Sequence, residues 1–150
     1  MNQEDKSNKK ALFSMGCFWE PDDFFSKLDG VIKTRVGYTG GTTPNPTYEK
    51  LGDHTETIEI TYDSSKISYE QLLYYFWQRH DPTSQQIKQY ISAIYYLDEE
   101  QKKHAEDTKQ KYQYKNKKPV HTQILPATTF YEAEEYHQKY LEKMRKKNII

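Results

Sequence analysis

Apolar residues fall in short runs whose spacing alternates between a period of two and a helical period. Ala11 to Met15 is mostly apolar and reads as a strand that passes through Gly16 into a segment where Phe24, Phe25 and Leu28 recur at helical spacing. The order is strand, tight turn, helix. Gly30 stops that helix, and Val31 to Tyr38 has the β-branched and aromatic content of a second strand. Gly40 to Pro46 is dense in turn formers, so the chain from Tyr38 to Thr55 is a long excursion with at most a short helix. Thr55 to Tyr62 then alternates as a half-buried strand, with Glu56 sharing the face of Ile58, Ile60 and Tyr62.

Ser68 and Gln71 form a capping-box pair for a helix through Arg79, whose stripe is Leu72, Leu73, Phe76 and Trp77. His80-Asp81-Pro82 ends it. Ser92 to Leu97 is a further strand, Asp98 with Gln101 caps a polar helix to about Tyr114, and Val120 to Leu125 is a strand stopped by Pro126. Tyr131 to about Lys147 reads as a last helix, acidic early and basic late in accord with its macrodipole. The order β-α-β-β-α-β, then α-β-α, predicts an α+β two-layer sandwich with a ferredoxin-like βαββαβ core and a mixed, mainly antiparallel sheet plus extra helices. Residues 1–10 are polar and without periodicity, a disordered lead-in to a single domain over 11–150.

Charge and composition narrow the classes. Lys plus Arg and Asp plus Glu are 22 each, so no net field draws the molecule to nucleic acid or an anionic membrane. No apolar run has the roughly 18 residues of a membrane-spanning helix. The first ten residues lack the apolar stretch of a secretory signal, and a single cysteine makes no internal disulfide, so a cytoplasmic monomer is expected.

That cysteine, Cys17, lies between a strand and a helix, where free backbone N–H groups favour a thiolate. Pro21 suits the first helical turn, which puts the helix start between Phe18 and Glu20. Position alone fits a small buried hydrophobe equally well. Glu134-x-x-His137 is the one Glu-x-x-His pair, where a di-iron bundle needs two, and Gly37 to Gly41 lacks the spacing of a dinucleotide loop. No cofactor or metal is assigned.

Gly16-Cys17-Phe18-Trp19 resembles the GCFW signature of the A-type peptide methionine sulfoxide reductases, and further matches follow in family order. They include Val36 to Gly41, Pro44 to Tyr48, His54-Thr55-Glu56, Ser68 to Leu73, Phe76-Trp77, His80-Asp81-Pro82, Gln89-Tyr90, Ser92 to Tyr95, Ile124 to Ala127, Phe130-Tyr131 and Ala133 to Leu141. The resemblance implies reduction of peptide-bound and free methionine S-sulfoxide, with Cys17 as nucleophile. It implies that Glu56 protonates the sulfoxide oxygen, Tyr48 and Tyr90 hydrogen-bond it, and Phe18 and Trp19 wall the substrate methyl. Tyr38, Tyr136 and His137 form a supporting shell. The chemistry is consistent: a sulfoxide sulfur accepts a thiolate only if its oxygen is neutralised as it leaves.

Two departures stand out. Pro82 to Gln89 is shorter than the family's loop and has no aspartate to assist the acid, so that role is missing or taken by Gln85 or Gln86. No second cysteine resolves the sulfenic acid left on Cys17, so an external thiol, from thioredoxin or from glutaredoxin with glutathione, is expected to regenerate it. A non-catalytic redox sensor or methionine-sulfoxide-binding domain is the alternative.

Overall fold

The computed structural model describes residues 7–148. Its elements are β1 (Asn8–Met15), α1 (Trp19–Phe25), β2 (Val31–Thr39), β3 (Thr55–Asp63), α2 (Tyr69–Gln78), β4 (Ser92–Tyr96), α3 (Glu99–Lys115), β5 (Gln123–Pro126), β6 (Tyr131–Glu132) and α4 (Tyr140–Lys146). The six strands lie in the order β5-β4-β1-β3-β2-β6. All neighbours are antiparallel except β4 and β5. The central four, β4-β1-β3-β2, are the split βαβ arrangement expected from the element order.

Register explains the core. Phe13 of β1 stands opposite Ile58 of β3, and Ile58 opposite Val36 of β2, so these side chains share one face. There Phe13, Ile58, Ile60 and Ile94 meet Phe25 of α1, Leu72, Leu73 and Phe76 of α2 and Ala105 of α3. The capping box opens α2 as its sequence requires: Ser68 accepts from the Gln71 N–H and Gln71 accepts from the Ser68 N–H. Asp98 caps α3 through the Gln101 N–H.

Three expectations are corrected. The lead-in ends earlier than residue 10, because Asn8, Lys9 and Lys10 pair with Asp63, Tyr62 and Thr61; backbone pairing overrides their polarity. Residues 1–6 of that stretch lie outside the described residues. The strand β3 is buried on both faces, not one, because Ala127 and Phe130 pack with Leu12 and Tyr95 behind the sheet. Its Glu59 is matched by the Arg35 guanidinium at 2.5 and 3.1 Å.

The third correction concerns the last helix. In place of one helix from Tyr131, the chain adds β6 to the sheet edge, makes a 3-10 turn over Glu135–His137 and forms only the short α4. Side chains compete successfully for the backbone here. Gln138 accepts from the Val36 N–H at 2.9 Å and donates to its carbonyl at 2.9 Å, continuing the edge pairing with an amide. Lys139 turns left-handed at φ 54° while Asp22 of α1 accepts its N–H at 2.8 Å.

Among the described residues no helix is long and apolar enough to cross a membrane.

Candidate active site

The site lies where β1 ends and α1 begins. Gly16 has φ +85°, a conformation L side chains rarely adopt, although the space around it is open. The turn therefore uses glycine for its backbone, and it delivers Cys17 to the surface one residue before the Phe18 cap of α1. Cys17 is exposed, yet the protein on its inner side pushes its thiol up from the ordinary value. The Trp19 backbone N–H pulls it down, and the nearby Glu56 pushes it up again. The expected thiolate preference at a helix start is thus corrected: α1 offers one backbone contact, outweighed by desolvation and a carboxylate.

Glu56 ties the start of α1 to β3. Phe18 has no side-chain acceptor with which to cap the helix, and its own N–H donates to Glu56 Oε1 at 3.2 Å. Glu56 is at most 1% exposed, set opposite Tyr38 in the β2–β3 register on the helix-covered face. Its other oxygen, Oε2, accepts from Gln89 Nε2 at 2.6 Å. Burial raises the carboxyl above its ordinary value and these two donors lower it, with burial the larger influence.

Tyr48 and Tyr90 come from opposite sides. Tyr48 sits on the long loop after β2, which is stapled by Asp53 accepting the Thr42 and Thr43 N–H groups at 2.8 and 3.1 Å. Its own N–H is held by Glu134 Oε2 at 3.0 Å. Tyr90 ends a 3-10 turn over Lys88–Tyr90 just before β4. Its phenol is pushed up to about 12, first by burial, then by the charge of Glu56 and by the Tyr48 hydroxyl, with Cys17 also contributing. Glu56, Tyr48 and Cys17 thus all lie within reach of the Tyr90 phenol. Cys17 and Tyr90 also line a cavity of about 380 Å³ with Met15, His80 and Asp81.

Phe18 and Trp19, the residues expected to form an aromatic wall, are held by other rings. Phe18 is buried against Tyr38 and His137, with ring centroids 5.8 and 5.1 Å away. Trp19 stacks on Tyr140 of α4 at 3.8 Å and donates its indole N–H to His137 Nδ1 at 3.0 Å. That bond leaves the proton of neutral His137 on Nε2, which has no hydrogen-bond partner among the described residues. Tyr48 packs on the same imidazole at 4.8 Å.

Sequence reasoning missed several supports. Glu134 binds the Tyr38 hydroxyl at 2.8 Å as well as the Tyr48 N–H, so Glu134-x-x-His137 organises the pocket through both its members. Its spacing was visible, its partners were not. Gln85 and Gln86, the expected substitutes for the loop aspartate, are exposed, and Gln86 bonds Ser84; the amide that reaches the Glu56 carboxyl is Gln89. No cluster of three or more His, Cys, Asp or Glu that could hold a metal occurs among the described residues.

The family described as Peptide methionine sulfoxide reductase matches residues 9–150. A peptide methionine sulfoxide reductase MsrA of Methanothermobacter thermautotrophicus is 45% identical over 147 residues, covering 90% of this chain and 87% of that one. Mxr1 of Saccharomyces cerevisiae in reduced form superposes with a TM-score of 0.86 at 28% identity, over 92% of this chain and 86% of that chain. Mxr1 in complex with Trx2 superposes at 0.70, with 25% identity over 93% and 89%.

Proposed function

This chain belongs to the peptide methionine sulfoxide reductase family and reduces methionine sulfoxide, and on that premise we propose that Cys17 is the nucleophile, Glu56 the acid and the S epimer the substrate. The Cys17 thiolate attacks the sulfoxide sulfur, Glu56 gives its proton to the oxygen, and that oxygen passes to Cys17 as methionine leaves. The products are Cys17 sulfenic acid and the thioether. Tyr48 and Tyr90 hold the oxygen by hydrogen bonds, while Phe18 and Trp19 enclose the methyl group, a contact that suits polarisable sulfur. Peptide-bound and free methionine sulfoxide are both substrates.

The observation that carries this assignment is Glu56: a buried carboxyl bonded to the amide of Phe18, next in the chain to Cys17, whose charge acts on Cys17 and on Tyr90. Burial favours the protonated form an acid needs near neutral pH. Cys17 is the only cysteine of the sequence, so a thiol from another molecule condenses with the sulfenic acid, releasing water. A second thiol then exchanges the mixed disulfide and frees Cys17. The Mxr1 complex with Trx2 supports thioredoxin as that reductant, and glutaredoxin with glutathione is the other source. A free thiol of this kind needs a reducing compartment, which supports a cytoplasmic setting.

Incubation with dabsyl-methionine S-sulfoxide and dithiothreitol tests the reading. Turnover is expected from the natural chain and none from Cys17→Ser. After one turnover without reductant, mass spectrometry should find one added oxygen on Cys17. Full activity in Cys17→Ser overturns the mechanism.

A further inference from the structure

The two hydrogen bonds on Glu56 raise a difficulty for a proton donor. Oε1 faces the Phe18 N–H and Oε2 faces the Gln89 NH₂ group, so both partners donate and both fit the carboxylate. A loaded acid carries an O–H that itself needs an acceptor. Phe18 offers a backbone N–H and cannot become one. Gln89 can, because its terminal amide presents oxygen in place of nitrogen after a half turn.

We propose that Gln89 is the positioning residue of the acid, its amide accepting the Glu56 proton in the resting enzyme and turning to donate to the carboxylate once that proton has gone to the sulfoxide oxygen. The inference rests on Glu56 being the acid. The partner is a neutral one that follows the charge of the acid without adding its own. An ionised aspartate there would compete for the proton, whereas an amide satisfies Glu56 before and after transfer. The two ends of the arm are well fixed. Glu56 lies within β3, and Gln89 lies in the 3-10 turn, whose Lys88 carbonyl accepts from Thr55 Oγ1 at 2.8 Å.

The other titratable groups that act on this carboxyl are Cys17 at the β1–α1 junction, Tyr38 on β2 and Tyr90 on the turn, with Tyr48 reaching it through Tyr90. No cation contributes to its ionisation among the described residues. The Gln89 amide is therefore the polar side chain free to adjust.

A switching amide stabilises both forms of Glu56, whereas a fixed donor stabilises only the carboxylate. Gln89→Met should therefore lower kcat about tenfold with KM for methionine sulfoxide unchanged, as expected for an interaction realised on the way to the transition state. The Glu56 midpoint, followed by its carboxyl carbon resonance, should move by less than about half a unit. In the natural chain, which needs no substitution to test, the Gln89 side-chain amide resonances should titrate with that same midpoint. Wild-type kcat in Gln89→Met, a larger rise of the Glu56 midpoint, or amide resonances that stay flat through it would each overturn the switch. Glu56→Gln separates the two readings. If it keeps full kcat, the acid assignment itself fails; if it is inactive while Gln89→Met behaves as wild type, only the inference about Gln89 does.

Discussion

As the proposed nucleophile, with Glu56 as the proposed acid, Cys17 meets two opposing demands. It must be accessible to a bulky substrate, and it must ionise beside the carboxyl that completes the reaction. The structure grants the first and resists the second, since partial burial and Glu56 both push the thiol up. Removing the negative charge at position 56 relieves one of these wherever Glu56 is ionised, so above the Glu56 midpoint Glu56→Gln should alkylate at Cys17 severalfold faster with iodoacetamide, the difference vanishing below it, even as its reductase activity falls. Mass spectrometry of the modified thiol against pH checks this; an unchanged profile would mean that the two groups do not sense each other. At this scale the sequence names candidates where a motif marks a side chain and is silent where a partner lies far along the chain. Cys17, Phe18, Trp19, Glu56, Tyr48 and Tyr90 follow from local signatures. Gln89 on Glu56 and Glu134 on Tyr38 and Tyr48 depend on register across 33, 96 and 86 residues, which no local pattern encodes.

Elements present these side chains through two devices. The first is the Gly16 turn, where a Cβ has room but the backbone is left-handed. Gly16→Ala should cost about 1–2 kcal/mol in urea unfolding, and activity should fall further than stability because the strained turn moves Cys17. The second is the anchoring of the C-terminal segment on α1. Asp22 is fully buried and accepts from Thr34 Oγ1, from the Lys139 N–H and from Lys139 Nζ at 2.5, 2.8 and 3.0 Å. Tyr140, the next residue, is the one stacked on Trp19. Lys139→Met leaves Asp22 buried without its counter-ion and should cost about 3 kcal/mol, with a change in Trp19 fluorescence as the stack loosens. Equal stability would show that the ion pair contributes nothing. Strands and capped helices were legible because period and caps are local properties of β2, β3, α2 and α3. The segment after Tyr131 was not, because Gln138 and Asp22 capture backbone groups that helical propensity alone would pair within one helix.

For the molecule as a whole, the proposed acid carries a stability cost. Glu56 is raised above its ordinary value in the fold, chiefly by burial, so the folded state holds this proton more tightly than the unfolded chain does. The sign follows from linkage: where the folded state binds more protons, stability falls as pH rises. The fall begins near the ordinary glutamate value of about 4.3 and continues until Glu56 has also ionised in the fold. Below that window the group is protonated in both states and the cost vanishes. Glu56→Gln keeps a carbonyl for the Phe18 N–H and an NH₂ that Gln89 can accept after turning, so it removes the titration without removing both bonds. The variant should therefore be more stable than the natural chain at neutral pH by about 1 kcal/mol, with the advantage shrinking towards pH 4, while losing reductase activity. Thermal unfolding of both proteins at pH 4 and pH 7.5 decides it. A difference that is the same at both values would mean that the proton on Glu56 is not what the fold favours, and the case for this carboxyl as an acid held ready near neutrality would lose its physical basis.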